Sequence, residues 1–585
     1  MKVVLTAINA KYIHSNLAVY SLRKYAAKYA EQIELAEYTI NNHTDDILQD
    51  LYKRKPDVLA ISCYIWNIDM VWQIIKEIKK VLPDLHIWLG GPEVSYEVEE
   101  LFENGADIDG VMIGEGEQTF LEVMEYYNKD RNLQDISGIA YWDKTTKKVV
   151  FTTPRLPMPL SEIPFPYDDL AEFKNKIIYY ESSRGCPFAC SYCLSSIEKG
   201  VRLRDISLVK KELALFLDAK IPQVKFIDRT FNCNHQHAME IWNYIYEHDN
   251  GVTNFHFEIS ADLLTDEELS LLQKMRPGLV QLEIGVQSTN LETIKAINRT
   301  MNLDKLSYAV EQVRKGENIH QHLDLIAGLP YEDYNTFQKS FNQVYAWKPD
   351  QLQLGFLKVL KGSFMHDQKD EYHIIYKGQP PYEVMVTRWL SYEDVIRLKR
   401  VEDMVEVYYN SGQFAHTLSF LLHFYPSPFA FYEMLGEYYE ENGLWEEKHS
   451  RMSRYQILLD FVKKTCPDIV EPAGELLVYD WYLRENAKSR PAFAKNLEQW
   501  KQSYHNFYKD IEEKNRQGTE NPLSHYSGYL ARQITRMTHV ECFSYDLKGL
   551  EQDGTIKRKE QHILFDYQKR NPLTKDADTF DMVLN

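Results

Sequence analysis

The chain has 585 residues, of which 44% are hydrophobic and 26% charged, a composition typical of folded globular proteins rather than disordered or fibrous ones. Its 86 acidic and 67 basic residues give a net charge of −19, which disfavours nucleic acid and anionic membranes as partners. Since a domain typically has about 150 residues, a chain of this length predicts several domains.

The N-terminal stretch MKVVLTAINAKYIHSN has neither the apolar core nor the cleavage site of a signal peptide, and no apolar run is long enough to span a bilayer. The chain has seven cysteines, an odd number, and those outside one cluster are isolated. This pattern is not the disulfide framework of a secreted domain. We therefore expect a cytoplasmic protein without a membrane segment.

Residues 1–140 alternate apolar strands, such as DVLAISCYI and HIWLGG, with amphipathic helices. This alternation predicts a Rossmann-like parallel sheet, in which ligands bind beyond the carboxyl ends of the strands. Glycine at such an end either lets a ligand approach the backbone or makes a tight turn. The candidate ligand-binding residues at these ends are Ser62, Tyr64, Gly90, Gly91, Gly114, Glu115, Gly116 and Glu117.

Residues 141–175 contain two strands around a polar turn, followed by the proline-rich stretch RLPMPLSEIPFPYDDL. Proline at this density excludes helix and sheet interior, so we expect an extended connector. Residues 176–365 then repeat strands and helices at least six times, which predicts a partial (β/α)6 barrel with its active residues at the carboxyl ends of the strands.

The first barrel strand leads into ESSRGCPFACSYCLSS, which brings Cys186, Cys190 and Cys193 within one loop. Three thiolates suit a [4Fe–4S] cluster whose fourth iron stays open to a ligand. A structural zinc site is the alternative, and it requires a fourth ligand. Cys233, with the nearby His235 and His237, is the candidate, but its spacing matches no usual zinc finger.

The CxxxCxxC loop, with Tyr192 before its last cysteine and a barrel around it, resembles the radical S-adenosylmethionine (SAM) superfamily. The phrases SCYIWN, LGGPEVS and GVMIGEGEQTF resemble the cobalamin-binding domain that precedes many of these barrels. The resemblance implies three cofactors: a [4Fe–4S] cluster on the three cysteines, SAM, and cobalamin at the strand ends of residues 1–140. The DxHxxG signature of a cobalt-ligating histidine is absent; the nearest histidine is His14, so we expect no protein histidine on cobalt.

The same resemblance implies SAM contacts in the motifs FIDRTFN, HFEIS, LEIGVQS, AINR and DLIAGLP. The residues concerned are Tyr192, Asp228, Glu258, Ser260, Glu283, Gln287, Ser288, Arg299, Ile326 and Gly328. Polar residues at strand ends also cap helices, and an arginine such as Arg299 also forms surface ion pairs, so both interpretations stay open here.

Residues 366–585 show long stretches of helical spacing and predict a mostly α-helical domain. They resemble an uncharacterised C-terminal extension of one bacterial subgroup of cobalamin radical SAM proteins. Aromatic-rich blocks such as YDWYLREN are typical of a helical core, although they can also line a channel.

The resemblance implies reductive cleavage of SAM at the cluster, giving a 5′-deoxyadenosyl radical, and methylation of an unactivated carbon of a small or medium-sized organic substrate. The electron donor would be a flavodoxin or ferredoxin. Two alternatives stay open: a cobalamin radical SAM enzyme that carries out a rearrangement or redox reaction, and a non-catalytic cobalamin or cluster sensor. A transfer RNA methylthiolation enzyme would carry three cysteines in its N-terminal domain, where this chain has Cys63 alone.

Overall fold

The computed structural model describes every residue except 104, 106, 144, 198, 199, 583 and 585. It divides into two compact units, one of Met1–Phe337 with Gly355–Tyr392 and one of Gln338–Leu354 with Glu393–Asn585. Within the described residues, no helix combines the length and the apolar character that crossing a bilayer requires.

The first unit begins with alternating strands and helices. These are β1 (Val3–Asn9), α1 (Leu17–Tyr25), β2 (Ile33–Thr39), α2 (Thr44–Arg54), β3 (Val58–Ser62), α3 (Ile68–Val81), β4 (His86–Gly90), α4 (Val98–Glu103), β5 (Gly110–Met112), α5 (Gly116–Tyr127), β6 (Ile139–Asp143) and β7 (Lys148–Phe151). They form a seven-stranded sheet in the order β2-β1-β3-β4-β5-β6-β7. Strands β1 to β5 are parallel, and β6 and β7 add to the edge in antiparallel fashion.

Both faces of this sheet are buried. Leu59 and Ile87 belong to one hydrophobic core, whereas their neighbours Val58 and Trp88 belong to a second core on the opposite face. Because successive side chains of a strand point to opposite faces, a strand between two cores is apolar throughout. The predicted Rossmann-like parallel sheet is therefore confirmed.

The chain continues with a second set of strands and helices. These are β8 (Ile178–Tyr180), β9 (Ser183–Cys186), β10 (Gly200–Leu203), α6 (Ile206–Asp218), β11 (Gln223–Phe226), α7 (His235–Glu247), β12 (Asn254–Ile259), α8 (Asp266–Leu272), β13 (Val280–Gln287), α9 (Leu291–Ala296), α10 (Leu303–Lys315), β14 (His320–Ala327), α11 (Tyr334–Ala346), β15 (Gln351–Phe356), α12 (Phe364–Asp367), β16 (Ile375–Tyr376) and β17 (Val384–Val386). A six-stranded sheet has the order β15-β14-β13-β12-β11-β8, and the pairs from β8 to β14 are parallel. The predicted partial barrel of six strands is confirmed.

Strands β9 and β10 form a separate antiparallel hairpin. Cys186 ends the first strand, and Cys190 and Cys193 lie in the connection between the two. We call residues 183–203 the cysteine hairpin.

The second unit is mostly helical, as predicted, but it ends in a sheet. Its elements are α13 (Tyr392–Met404), α14 (Ala415–Leu421), α15 (Pro428–Glu441), α16 (Arg451–Thr465), α17 (Val470–Arg484), α18 (Lys501–Gln517), α19 (Ala531–Met537), β18 (Thr538–Tyr545), α20 (Leu547–Asp553), β19 (Arg558–Arg570) and β20 (Ala577–Met582). The last three strands form an antiparallel sheet that the sequence did not predict. One reason is Glu541, a charged residue that is only 1% exposed in β18 because Arg490 donates two hydrogen bonds to it, of 2.7 and 2.8 Å.

A partly buried ion pair in this unit makes its stability depend on pH. His416 Nδ1 lies 2.9 Å from Glu551 Oε2, and Asp480 accepts hydrogen bonds from the backbone amides of His416 and Thr417. Burial lowers the pKa of His416, but the hydrogen bond to Glu551 and the charge of Asp480 outweigh burial and raise it from 6.5 to about 9.

A folded-state pKa above the unfolded value means that protonated His416 stabilises the unit fully below about pH 6.5, and that this contribution is lost as the pH rises through about 9. At roughly 1.4 kcal/mol per pKa unit, the rise from 6.5 to about 9 corresponds to about 3–4 kcal/mol at most, and solvent screening of the partly exposed pair reduces this contribution. We expect the thermal midpoint of the second unit, followed by circular dichroism of the full chain, to fall across this window. In His416→Gln the thermal midpoint should not fall in this way. An equal fall in the wild type and in His416→Gln would show that His416 is not the cause of the pH dependence.

Candidate functional site

A cavity of about 910 Å³ is lined by the carboxyl ends of β3, β4 and β5 and by the barrel. Its wall includes all eight residues that the sequence singled out at these strand ends: Ser62, Tyr64, Gly90, Gly91, Gly114, Glu115, Gly116 and Glu117. The barrel contributes Tyr179, Lys225, Arg229 and Glu258 to the same wall. The fold thus brings residues far apart in sequence to one site.

The sheet side of the cavity leaves backbone and polar atoms open to a ligand. At Gly91, where φ is +117°, a Cβ atom would lie 2.4 Å from the carbonyl oxygen of Cys63, so only glycine is accommodated. At Gly114 a Cβ atom would meet no atom of the described residues within 4 Å, which leaves space beside the backbone. The buried Ser62 Oγ has no hydrogen-bond partner within the described residues. This combination fits cobalamin, whose broad ring and amide side chains need close approach to backbone and polar partners.

Glu115 and Glu117 line the cavity, but both carboxylates already have partners. Arg184 Nη2 lies 2.9 Å from Glu117 Oε1, and Arg202 Nη1 donates to Glu115 Oε2 at 3.2 Å. Burial raises the pKa of Glu117, but the charge of Arg184 outweighs burial and lowers it overall. Both glutamates therefore connect the sheet to the cysteine hairpin.

The cysteine hairpin is fixed at its start and at its centre. Asp228, which is 0% exposed, accepts hydrogen bonds from Ser182 N (3.0 Å), Ser182 Oγ (2.7 Å) and Ser183 Oγ (2.6 Å). Ser191 N donates to the carbonyl oxygen of Ile297 at 2.9 Å. Asp228, which the resemblance linked to SAM, thus holds the hairpin in place and does not line the cavity.

The donor set of the hairpin suits a cluster rather than a single ion. Within the described part of the chain, no three His, Cys, Asp or Glu side chains converge closely enough to hold one metal ion. In a [4Fe–4S] cluster each thiolate binds a different iron, so the sulfur atoms lie around the cluster and need not converge. The half-buried Arg299 donates to Cys190 Sγ at 3.8 Å and to Tyr192 Oη at 3.3 Å, and its Nε atom has no hydrogen-bond partner among the described residues. A guanidinium with a spare donor beside Cys190 fits an anionic cluster.

Arg299 should also set the potential of such a cluster. Replacing it by glutamine removes a positive charge next to Cys190, and reduction adds negative charge to the cluster, so we expect a more negative midpoint potential. The measurement is a redox titration followed by electron paramagnetic resonance (EPR). Arg276→Gln is the control, because Arg276 pairs with Asp249 at 2.7 Å instead of contacting a cysteine. An unchanged or more positive potential in Arg299→Gln would contradict the role.

A charged group of side chains from adjacent strands faces the barrel interior. Lys225 Nζ and His256 Nε2 each lie 2.9 Å from Glu283 Oε2, and Lys225 Nζ lies 3.8 Å from Glu258 Oε1. Burial and the charge of Glu283 raise the pKa of Glu258 to about 7, whereas His256 and Lys225 overcome burial and hold the pKa of Glu283 well below its usual range. Of the residues linked to SAM, only Glu258 lines the cavity.

The other residues linked to SAM lie around this interior. Ser260 Oγ donates to Asp262 and Ser288 Oγ donates to Glu332, each at 2.7 Å, so both hydroxyl groups stabilise loops. Gln287, at a φ of +70°, has a buried Oε1 atom without a partner among the described residues, which leaves it open to a ligand.

Two further positions on β14 and in the loop after it were linked to adenine. Ile326 is half-buried on β14. At Gly328, where φ is +92°, a Cβ atom would lie 2.7 Å from Cγ1 of Val384. Glycine is therefore required at this position for packing against Val384.

Sequence reasoning missed Tyr179, Lys225 and Arg229. Tyr179 and Lys225 occupy half-buried positions on β8 and β11, and the period-two alternation of strands could have found them. His14 also lines the cavity, where its Nδ1 atom is hydrogen-bonded to the hydroxyl of Tyr179, and burial lowers its pKa.

Three family descriptions match successive parts of the chain. Residues 3–124 match the B12 binding domain, residues 180–344 match the radical SAM superfamily, and residues 370–565 match a protein family of unknown function, DUF4080. Each match coincides with a part of the fold described above.

Curated relatives include the uncharacterized methyltransferase PH0819 of Pyrococcus horikoshii, 28% identical over 49% of this chain and 63% of that protein. Another is the cobalamin-dependent radical SAM methyltransferase TokK of Streptomyces tokunonensis, 27% identical over 48% of this chain and 44% of that protein. The chain thus spans about half the length of the curated relatives that it matches.

Two solved structures share the fold. The cobalamin-dependent S-adenosylmethionine radical enzyme OxsB, with aqua-cobalamin and S-adenosylmethionine bound, superposes with a TM-score of 0.57 at 15% identity and covers 89% of this chain and 82% of that one. The radical S-adenosylmethionine methyltransferase TsrM from Kitasatospora setae, with cobalamin and a [4Fe–4S] cluster bound, has a TM-score of 0.53 at 17% identity and covers 65% of this chain and 76% of that one.

Proposed function

Because the chain belongs to the radical SAM proteins that carry a B12 binding domain, we propose that it is an enzyme that methylates an unactivated carbon of a small or medium-sized organic substrate. The observation that supports this proposal most is the single cavity that joins the carboxyl ends of β3 to β5 to the barrel. The proposed cobalamin site and Glu258 of the barrel line this same cavity, so that one substrate can contact both.

The residues of the chain have distinct roles in this proposal. Cys186, Cys190 and Cys193 would hold the [4Fe–4S] cluster, and the backbone at Gly91 and Gly114 would receive cobalamin. When bound, the cluster and SAM supply hydrogen abstraction and cobalamin supplies the methyl group.

On the barrel side, Glu258 and Arg229 face the space that a substrate would enter. The cavity walls would also keep water away from reactive species, as closed active sites do.

The test uses protein reconstituted anaerobically with iron, sulfide and hydroxocobalamin, and SAM that carries a deuterated methyl group. Candidate substrates can come from ligands that co-purify with the protein. Methyl transfer predicts deuterium in the product. A changed product without deuterium would favour rearrangement or redox chemistry, and binding of both cofactors without SAM cleavage would favour a sensor.

A one-electron donor such as flavodoxin or ferredoxin would reduce the cluster. Binding of the cluster requires reduced thiols, and none of the seven cysteines forms a disulfide. We also propose a cytoplasmic location, where thiols stay reduced. Reduced flavodoxin should replace dithionite in supporting SAM cleavage, and failure of every physiological donor while dithionite succeeds would contradict this partner class.

A further inference from the structure

Two arginines lie opposite each other on the cysteine hairpin. Arg184 on β9 is in register with Arg202 on β10, and Arg184 is two residues before Cys186. The guanidinium of Arg184 lies 2.7 Å from Glu181, 2.9 Å from Glu117 and 3.5 Å from Glu115. Arg202 also pairs with Glu115.

Two of the paired glutamates lie where β5 leads into α5: Glu115 ends the connecting loop, and Glu117 lies in the first turn of α5. Glu115 and Glu117 flank Gly116, the first residue of α5, and Ser21 Oγ donates to Glu117 at 3.3 Å. This β5–α5 loop forms part of the cavity wall at the carboxyl end of the parallel sheet. The contacts therefore join the loop that carries the cysteines to a loop that lines the proposed cobalamin site.

These pairs are mostly shielded from solvent. The side chain of Arg184 is 20% exposed and that of Glu117 is 7% exposed. When one partner of such a pair is removed, the other remains buried without compensation, which is costly. The cysteine hairpin has its own β-ladder and its anchors at Asp228 and Ile297, so the arginine pairs are not needed to form it.

We propose that Arg184 and Arg202 are positioning residues that hold the cysteine hairpin at a fixed distance from the β5–α5 loop. They would thereby also fix the distance between the cluster and cobalamin. Glu115 and Glu117 then act through these arginines rather than on a ligand. The identity of the two cofactors rests on the proposed function. The ion pairs of the two arginines with Glu115 and Glu117 do not rest on it.

The first test needs no cofactor. In Arg184→Gln, we expect hydrogen exchange of the amides in β9 and β10 to accelerate about tenfold or more, because the hairpin loses its pairs with Glu115 and Glu117 from Arg184 and retains the pair between Arg202 and Glu115. Arg155→Gln is the matched control: it breaks the pair between Arg155 and Glu122 in the same unit, without touching the hairpin. If Arg184→Gln fails to fold, Glu117→Gln removes the same link from the other side.

The second test uses the loaded protein. The magnetic interaction between the reduced cluster and cob(II)alamin, measured by pulsed EPR, reports their separation. In Arg184→Gln and Glu117→Gln we expect a broader distribution of distances, with iron content within about twofold of the wild type because the three cysteine ligands remain. Arg155→Gln should keep the wild-type distribution.

The two tests also separate this inference from the proposed function. Unchanged exchange and an unchanged distance distribution in both hairpin variants would overturn the positioning role, as would equal effects in Arg155→Gln. If wild-type protein binds no cobalamin, the proposed function fails, and the exchange experiment alone decides the inference.

Discussion

Replacing Cys190 by alanine is expected to remove most of the iron that the protein takes up and to reduce SAM cleavage to background. Three thiolates are the minimum that holds a [4Fe–4S] cluster with one open iron, so the loss of one leaves two irons without protein ligands. Iron content and the yield of 5′-deoxyadenosine, measured after anaerobic reconstitution, check this prediction. Cys186→Ala and Cys193→Ala should behave in the same way.

The control for this prediction is Cys466→Ala. Cys466 lies in the second unit, between α16 and α17, and outside the cysteine hairpin. This variant should keep wild-type iron content and SAM cleavage. Full activity in Cys190→Ala, or an equal loss in Cys466→Ala, would contradict a cluster on the hairpin.

The substitution Gly114→Ala is expected to weaken cobalamin binding about tenfold or more, because the added methyl group would occupy space beside the backbone that a bound ligand needs. Gly114 has a φ of +79°, and a Cβ atom there would have no neighbour within 4 Å among the described residues. Gly105 has the same φ and the same open surroundings but does not line the cavity. The measurement is a spectroscopic titration with hydroxocobalamin.

Gly105→Ala therefore serves as a matched control. Both substitutions place alanine in the left-handed region, which costs on the order of 1–2 kcal/mol of stability in either variant. Only Gly114→Ala should lose affinity for cobalamin. Equal affinities in the two variants would show that cobalamin does not bind against this loop.

The sequence predicted the features that depend on local patterns. Strands alternating with helices predicted both sheets: the central strands of the first sheet are largely apolar because both of its faces are buried, and the barrel strands alternate buried and half-buried residues. All eight strand-end residues from Ser62 to Glu117 lie in one cavity wall, because the carboxyl ends of parallel strands meet at one edge of the sheet.

Features that depend on long-range partners were not predictable from the sequence. Asp228 lies in a motif that was linked to SAM, but its carboxylate binds Ser182 and Ser183, about 45 residues earlier. Glu117 was linked to cobalamin and pairs with Arg184, which is 67 residues away. Strand-end position identifies polar residues near a site, but the partner of each residue depends on the tertiary fold.

The most direct test of the central claim, that the chain cleaves SAM reductively while it holds both a cluster and cobalamin, is a single incubation of the protein loaded with both cofactors. The reaction contains SAM and a one-electron reductant, and 5′-deoxyadenosine and methionine are quantified against the bound iron and cobalamin. We predict that both products form in equal amounts in protein that holds one cluster and one cobalamin per chain. Protein that binds cobalamin and the cluster but leaves SAM intact would contradict the claim.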